Sequence, residues 1–325
     1  MFKTKKEGIF PLLHKNKIQF FILSFLVVLL SIISLFTGAY DITKEGGWDM
    51  FFITRIPRTI ALLLTSIAMS LSGLVMQLMT QNKFVEPTTT GTIEWAGLGL
   101  IFSYIFFNAP SLLTRMSFAI LFSFIGTMIF FLFLRKLKLK SSLMVPIIGI
   151  MLGAIISAVS TFVGLLFSMT QSLEIWFQGS FAPVQRGRYE YLFLILIVVF
   201  IIYILADRLT VVGLGKDMAT NLGIDYEKIV LIATTIISFA VGIVSSVIGN
   251  LPFLGLIVPN IVSMYKGDNT RENIVWVMLF SMAIILICDI LSRSIIKPFE
   301  VPVSLILGLV GSAVFLYLIL QRRRK

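Results

Sequence analysis

Apolar residues along this chain come in long unbroken runs rather than at the spacing of a half-buried helix. The stretches Ile18–Tyr40, Ile274–Cys288 and Val303–Leu320 hold no charged side chain, and Tyr189–Ala206 holds only Glu190. A hydrocarbon core of roughly 30 Å takes about 20 helical residues to cross. In lipid every backbone N–H and C=O must be paired within the protein, so such runs read as helices rather than open strands. Ten helices are predicted, at about 18–40, 58–80, 90–107, 112–134, 143–167, 189–206, 229–248, 253–265, 274–291 and 303–320. The eighth is too short for a simple crossing and contains Pro252 at its edge, Gly255 and Pro259. Irregular backbone is expected at its start, tolerable only where it is buried in protein or faces a cavity. The pattern reads as an all-α, polytopic membrane protein of about ten transmembrane helices, a single domain over 1–325.

Composition agrees: 58% of the 325 residues are apolar and 13% charged, with a mean hydropathy of +0.99. One soluble core cannot absorb that excess, because it still needs a polar outer surface. The net charge of +11 is mostly topology. Nineteen basic residues fall on one side of the ten runs, including Lys3, Lys5, Lys6, Lys15, Lys17, the Arg135–Lys140 cluster and the Arg322–Lys325 end; eight fall on the other. The positive-inside rule makes the richer side cytoplasmic and puts both termini there, with an arm over 1–17 and a long loop at about 207–228. Basic residues scattered among spans do not suit nucleic acid. The first run is too long for a typical signal h-region, so it is expected to remain as an anchor in the cell membrane.

Chemistry is conspicuous by what the chain lacks. Gly213-Leu-Gly-Lys216-Asp217 is the nearest thing to a phosphate loop, but Thr210 stands where its first glycine belongs and Asp217 where Ser or Thr belongs. No catalytic motif or Cys/His cluster occurs, so no catalytic or metal residues and no cofactor are assigned. Buried acid pairs of an ion-driven pump are missing too. An energised transporter of this kind needs its motor on another chain, whereas a passive carrier or channel works alone.

Several stretches say more. Arg55-Ile-Pro-Arg58 opens the second run; two arginines beside a proline either snorkel to headgroups or offer forks to carboxylates. Ser66, Ser70, Gly73 and Gln77 share one helix face, which either packs closely or lines a path. Lys83, Glu86 and Pro87 follow, then Thr88-Thr-Thr-Gly-Thr-Ile-Glu94, where Glu94 reads either as a near-interface acid at a helix N-terminus or as a gating residue. Gly149, Gly153, Ser157 and Thr161 recur every four residues as a helix–helix seam. Leu214-Gly215 and Leu222-Gly223 bracket a two-turn helix whose Met218, Ala219 and Leu222 form a small apolar face, with Gly223 suited to a left-handed cap. Gly249-Asn-Leu-Pro252-Phe-Leu-Gly255-Leu-Ile-Val-Pro259-Asn260 permits a bend. Asp289 and Arg293 are spaced to hold each other.

Together these stretches resemble the permease subunits of ABC importers for iron–siderophore complexes, haem and cobalamin (FecCD-like), over about residues 50–320. The most specific match is the 249–260 segment. Lys83 stands where the family has proline, Asn260 where histidine is commoner and Ser263 where a basic residue is usual. The resemblance implies a type II importer permease. Arg55, Arg58 and Arg293 would dock an extracytoplasmic substrate-binding protein. Leu214, Gly215, Ala219, Leu222 and Gly223 would couple to the ATPase. Gln77, Gly149, Gly153, Ser157, Pro252, Gly255 and Pro259 would belong to the pathway and its gate. Implied partners are a second permease chain, identical or related, two ABC ATPase subunits that carry the ATP and Mg, and the lipid bilayer. The implied cargo is a ferric siderophore, with cobalamin or haem as the alternative within the class.

Overall fold

The structure, a computed structural model, describes residues 9–38, 46–137, 144–296 and 298–323. Among them there is helix and no strand. In chain order the helices are α1 (Ile9–Phe36), α2 (Gly47–Met50), α3 (Ile56–Met79), α4 (Thr92–Phe106), α5 (Leu112–Lys136), α6 (Met144–Leu166), α7 (Thr170–Phe177), α8 (Ile195–Val212), α9 (Lys216–Asn221), α10 (Tyr226–Val247), α11 (Leu254–Lys266), α12 (Thr270–Ser294) and α13 (Val303–Arg323).

Each predicted run coincides with one helix, but only seven of these helices are long and apolar enough to cross a membrane; α4 and α13 are shorter apolar helices, and α11 has 13 residues. Several boundaries moved, and α8 runs on to Val212, six residues past the predicted end of the sixth run. The second run begins at Gly47 rather than 58, because Gly46 enters left-handed and α2 passes through a π-turn at Phe51–Arg55 directly into α3. The arm is also shorter than expected, since α1 is helical from Ile9. Among the basic residues behind the orientation, Lys3, Lys5, Lys6, Lys44, Lys138, Lys140, Lys297, Arg324 and Lys325 lie outside the described residues.

α3 is the central post. Of its most apolar window 89% is buried, against 11% for α1 at the periphery. It packs against α8, α10, α11 and α12, while α4 lies on α5 and α6. Large apolar side chains such as Met151, Phe162 and Leu165 of α6 face outward, as expected where lipid or another chain is the solvent. At 24 residues, α3 spans about 36 Å and separates two functional ends, one at Arg58 and one at Met79.

Candidate functional site

At the arginine end, five charged residues come together from three helices and a loop. Asp289 of α12 is fully buried, and Arg58 of α3 straddles its Oδ1, donating from Nε at 3.0 Å and Nη2 at 2.8 Å. Arg58 Nη1 also donates to Glu300 Oε2 at 2.7 Å. From the other side Arg293 donates to Asp289 Oδ2, to Ser34 Oγ at 2.7 Å and to the carbonyl of Thr37. Asp289 and Arg293 do pair one turn apart, as their spacing predicts, and Arg58, 231 residues away and linked to them by no spacing, completes the carboxylate's shell. Arg55 donates to the carbonyl of Leu35. All three arginines line one open cavity of about 230 Å³, together with Thr37, Phe181 and Glu300. Two of the three expected docking forks therefore spend their donors on an internal network that ties α1, α3 and α12 together.

In the middle of the bundle, proline chemistry explains the contacts. Pro259 sits inside α11 and has no N–H, so the carbonyl of Gly255 one turn earlier loses its helical donor. Gln77 of α3 replaces it, with Nε2 at 3.1 Å from that oxygen. Such an approach requires bare backbones: a Cβ on Gly73 would lie 2.0 Å from the Gly255 oxygen.

Beside this crossing, residues 82–87 turn back into the bundle rather than staying at its end. Asn260 Nδ2 donates to the carbonyl of Lys83 at 2.6 Å, and Phe253 N–H donates to Glu86 Oε1 at 2.9 Å. The turn at Lys83–Phe84 and the extended Glu86 thus lie along the first two turns of α11. The buried Glu86 carboxylate faces the start of α11, where exposed amide hydrogens favour negative charge, and it also opens the short turn Pro87–Thr89 through a capping box. As predicted, α11 starts from irregular backbone, with Gly249 and Phe253 both at positive φ.

The family-atypical residues are neighbours. Lys83 Nζ reaches both Ser263 Oγ at 2.5 Å and Asp268 Oδ1 at 2.8 Å. The cation missing from position 263 is supplied by position 83, and Asn260 binds the same residue's carbonyl. In space these departures lie together as one local cluster.

Because 82–91 re-enters, α4 begins inside the bundle. Its first turn packs on α6, where a Cβ on Gly149 would lie 2.1 Å from the Thr89 oxygen and one on Gly153 3.4 Å from the Glu94 carboxyl. Gly153 is nine residues into α6, about 14 Å from its start, so Glu94 is not the near-interface acid expected from its helix-start position. The predicted α6 seam also splits. Gly149 and Gly153 are buried, whereas Ser157 and Thr161 are exposed. Each four-residue step advances about 40° around a helix, so four positions drift across two faces.

At the other end, α9 is the predicted two-turn element between Gly215 (φ 110°) and Gly223 (φ 76°). Gly223 N–H donates to the Thr220 carbonyl at 3.0 Å and Ile224 N–H to that of Ala219 at 2.9 Å, a Schellman cap. The apolar face is not the one expected: Ala219 is fully buried, while Leu214, Met218 and Leu222 are 60%, 50% and 60% exposed. Met218 stands out from α9 itself, and Leu214 and Leu222 are exposed just before and just after it. Lys216 (3.0 Å) and Arg135 of α5 both pair with Glu227, bracing the loop against α5 and α10. Trp176 lies in α7 and stacks on Tyr104, with ring centroids 4.9 Å apart.

A helical bundle with an arginine-lined mouth, a proline-broken helix docked on a central post and a protruding glycine-bracketed turn has the layout of a transporter permease. Residues 21–321 match the FecCD transport family, and the chain belongs to it. It is 65% identical to the petrobactin import system permease protein FatD of Bacillus anthracis, over 96% of this chain and 94% of that one. The ferric-anguibactin permease FatD of Vibrio anguillarum is 35% identical over 89% of this chain and 94% of that protein. Among solved structures, an inward-facing metal-chelate type ABC transporter superposes with a TM-score of 0.81 at 26% identity, covering 94% of this chain and 99% of that one.

Proposed function

We propose that this chain is the multi-pass permease subunit of an ABC importer for ferric siderophores, with petrobactin as its cargo. The observation that carries the reading is the 65% identity, across nearly the whole chain, to a petrobactin import permease. The vitamin B12 import permease BtuC of Escherichia coli stands at 30%, which favours siderophore over cobalamin.

In this proposal the arginine end faces outward and the α9 end faces the cytoplasm, with ten crossings and both termini inside. Arg55, Arg58 and Arg293 form the floor of the mouth that receives carboxylates of a loaded binding protein. Leu214, Met218 and Leu222 enter a groove of a partner ATPase, while Gly215, Ala219 and Gly223 shape the turn beneath them. Two permease chains enclose the path, Ser157 lies on an exposed face of α6 toward it, the Gly149–Gly153 seam is the gate's sliding joint, and the Gln77–Gly255–Pro259 crossing with Pro252 is the rigid wall of the pathway that moves against it. ATP and Mg reside on the partner ATPases.

The test is uptake of radiolabelled ferric petrobactin by cells lacking their own permease and supplied with this chain and its partner subunits. Restored uptake supports the cargo; cobalamin or haem uptake without petrobactin uptake would transfer it. Uphill accumulation by the purified chain alone in liposomes would overturn the dependence on an ATPase.

A further inference from the structure

A cavity of about 690 Å³ opens on the bundle surface between α1, α11 and α12, near the end that carries α9. Its lining is ordered along the helices: Gln19, Lys266 and Glu272 lie together near the turn between α11 and α12, and Leu23, Leu26 and Phe280 lie one to two turns further along α1 and α12. The order follows from the helix faces. α1 contributes positions 19, 22, 23 and 26, and α12 contributes 272, 276 and 280, each set on one side of its helix. Both helices lead from that end into the bundle's apolar depth, so polarity falls along each in the same direction.

The polar end carries charge of both signs. Lys266 Nζ lies 4.0 Å from the centre of the Trp276 ring and donates to Gln19 Oε1 at 2.9 Å, so its ammonium is held among the residues that line the cavity. Glu272 is exposed at the start of α12, where Asn269 Nδ2 approaches its Oε1 at 3.3 Å. Tyr265 and Trp276, the aromatic types that settle at a membrane–water boundary, complete the rim.

We infer that this cavity holds a phospholipid with a primary amine in its headgroup, its phosphate at Lys266, its ammonium at Glu272 and an acyl chain between α1 and α12. Charge complementarity selects the headgroup class. A purely anionic head satisfies Lys266 but meets Glu272 as a like charge. A choline head has the cation but presents methyl groups where Glu272 needs N–H donors. An ethanolamine head matches both signs and both hydrogen-bonding roles. The site is separate from the arginine mouth and from the α3–α11 crossing, and it does not depend on which siderophore is carried.

The full chain is reconstituted in phosphatidylcholine vesicles containing a minor fraction of brominated-chain lipid with an ethanolamine, choline or glycerol head. The readout is quenching of Trp276, taken as the difference between wild type and Trp276→Phe because the chain has four tryptophans. The ethanolamine lipid is expected to reach half-quenching at about one third the concentration of the choline lipid, the size of one exposed ion pair. Glu272→Gln should abolish that preference and shift it toward the glycerol lipid. Lys266→Ala should weaken quenching by all three lipids, which share the phosphate, and Lys266→Arg should retain the wild-type order, which guards against a folding defect. Equal quenching by all three lipids in wild type overturns the inference. So does a wild-type preference for the glycerol lipid, or an ethanolamine preference that survives Glu272→Gln.

Discussion

Replacing Asp289 by Asn separates two roles for the arginines at the mouth. In the structure this carboxylate is fully buried and accepts from Arg58 at 3.0 and 2.8 Å, from Arg293, and from Ser34 Oγ at 3.4 Å. Asparagine keeps one acceptor, puts an NH₂ against a guanidinium and leaves two positive side chains, 10% and 4% exposed, with only the partly exposed Glu300 to balance them. Removing one partner of a buried ionic group costs about 3–5 kcal/mol. Cys288, the only cysteine, is itself buried beside Asp289, so its reaction with a thiol reagent under native conditions reports local opening. Since about 1.4 kcal/mol is a factor of ten, labelling should accelerate between a hundredfold and a few thousandfold. The paired change Asp289→Leu with Arg293→Met should recover most of the protection, because Arg58 keeps Glu300 at 2.7 Å. Labelling of Asp289→Asn at the wild-type rate would refute the claim that the arginines hold the fold, leaving docking as their whole purpose.

Three further outcomes are expected. Gly73→Ala must push α3 from α11, costing about 1–3 kcal/mol and most siderophore uptake, measured by thermal unfolding in detergent and by transport in cells. Met218→Glu should abolish copurification of the ATPase with unchanged helix content by circular dichroism, whereas Ala219→Glu, at a fully buried position, should lower the amount of folded protein recovered. Lys83→Pro alone should reduce uptake, and adding Ser263→Arg should restore it, since the two positions share one cation site in front of Asp268.

Local physics made much of the architecture readable in the sequence. Every helix that came from an apolar run was found, and so were the irregular start of α11 and the turn of α9, because hydropathy, proline and glycine act over a few residues. What failed was direction and distance. Ala219 was placed on the partner-facing side because helix periodicity gives a face its apolar character but does not say which side the bundle occupies. Ser157 was joined to Gly149 by a spacing that drifts around the helix. Glu94 looked peripheral because nothing in residues 80–91 announces that they turn back into the interior. Arg58 was legible as an arginine at a helix start, yet its partner Asp289 lies 231 positions away, beyond any pattern of spacing.

Gln77 stands in for a bond that Pro259 forbids, and this has a mechanical consequence. Were α3 and α11 to slide apart, a naked carbonyl would face hydrocarbon with no water to receive it, at about 1–3 kcal/mol before any packing is lost. The two helices are therefore expected to travel as one slab during the transport cycle. The sliding surface must lie elsewhere, and the glycine-to-glycine contact of α6 with the segment ahead of α4, which has no such stitch among the described residues, is the natural place for it.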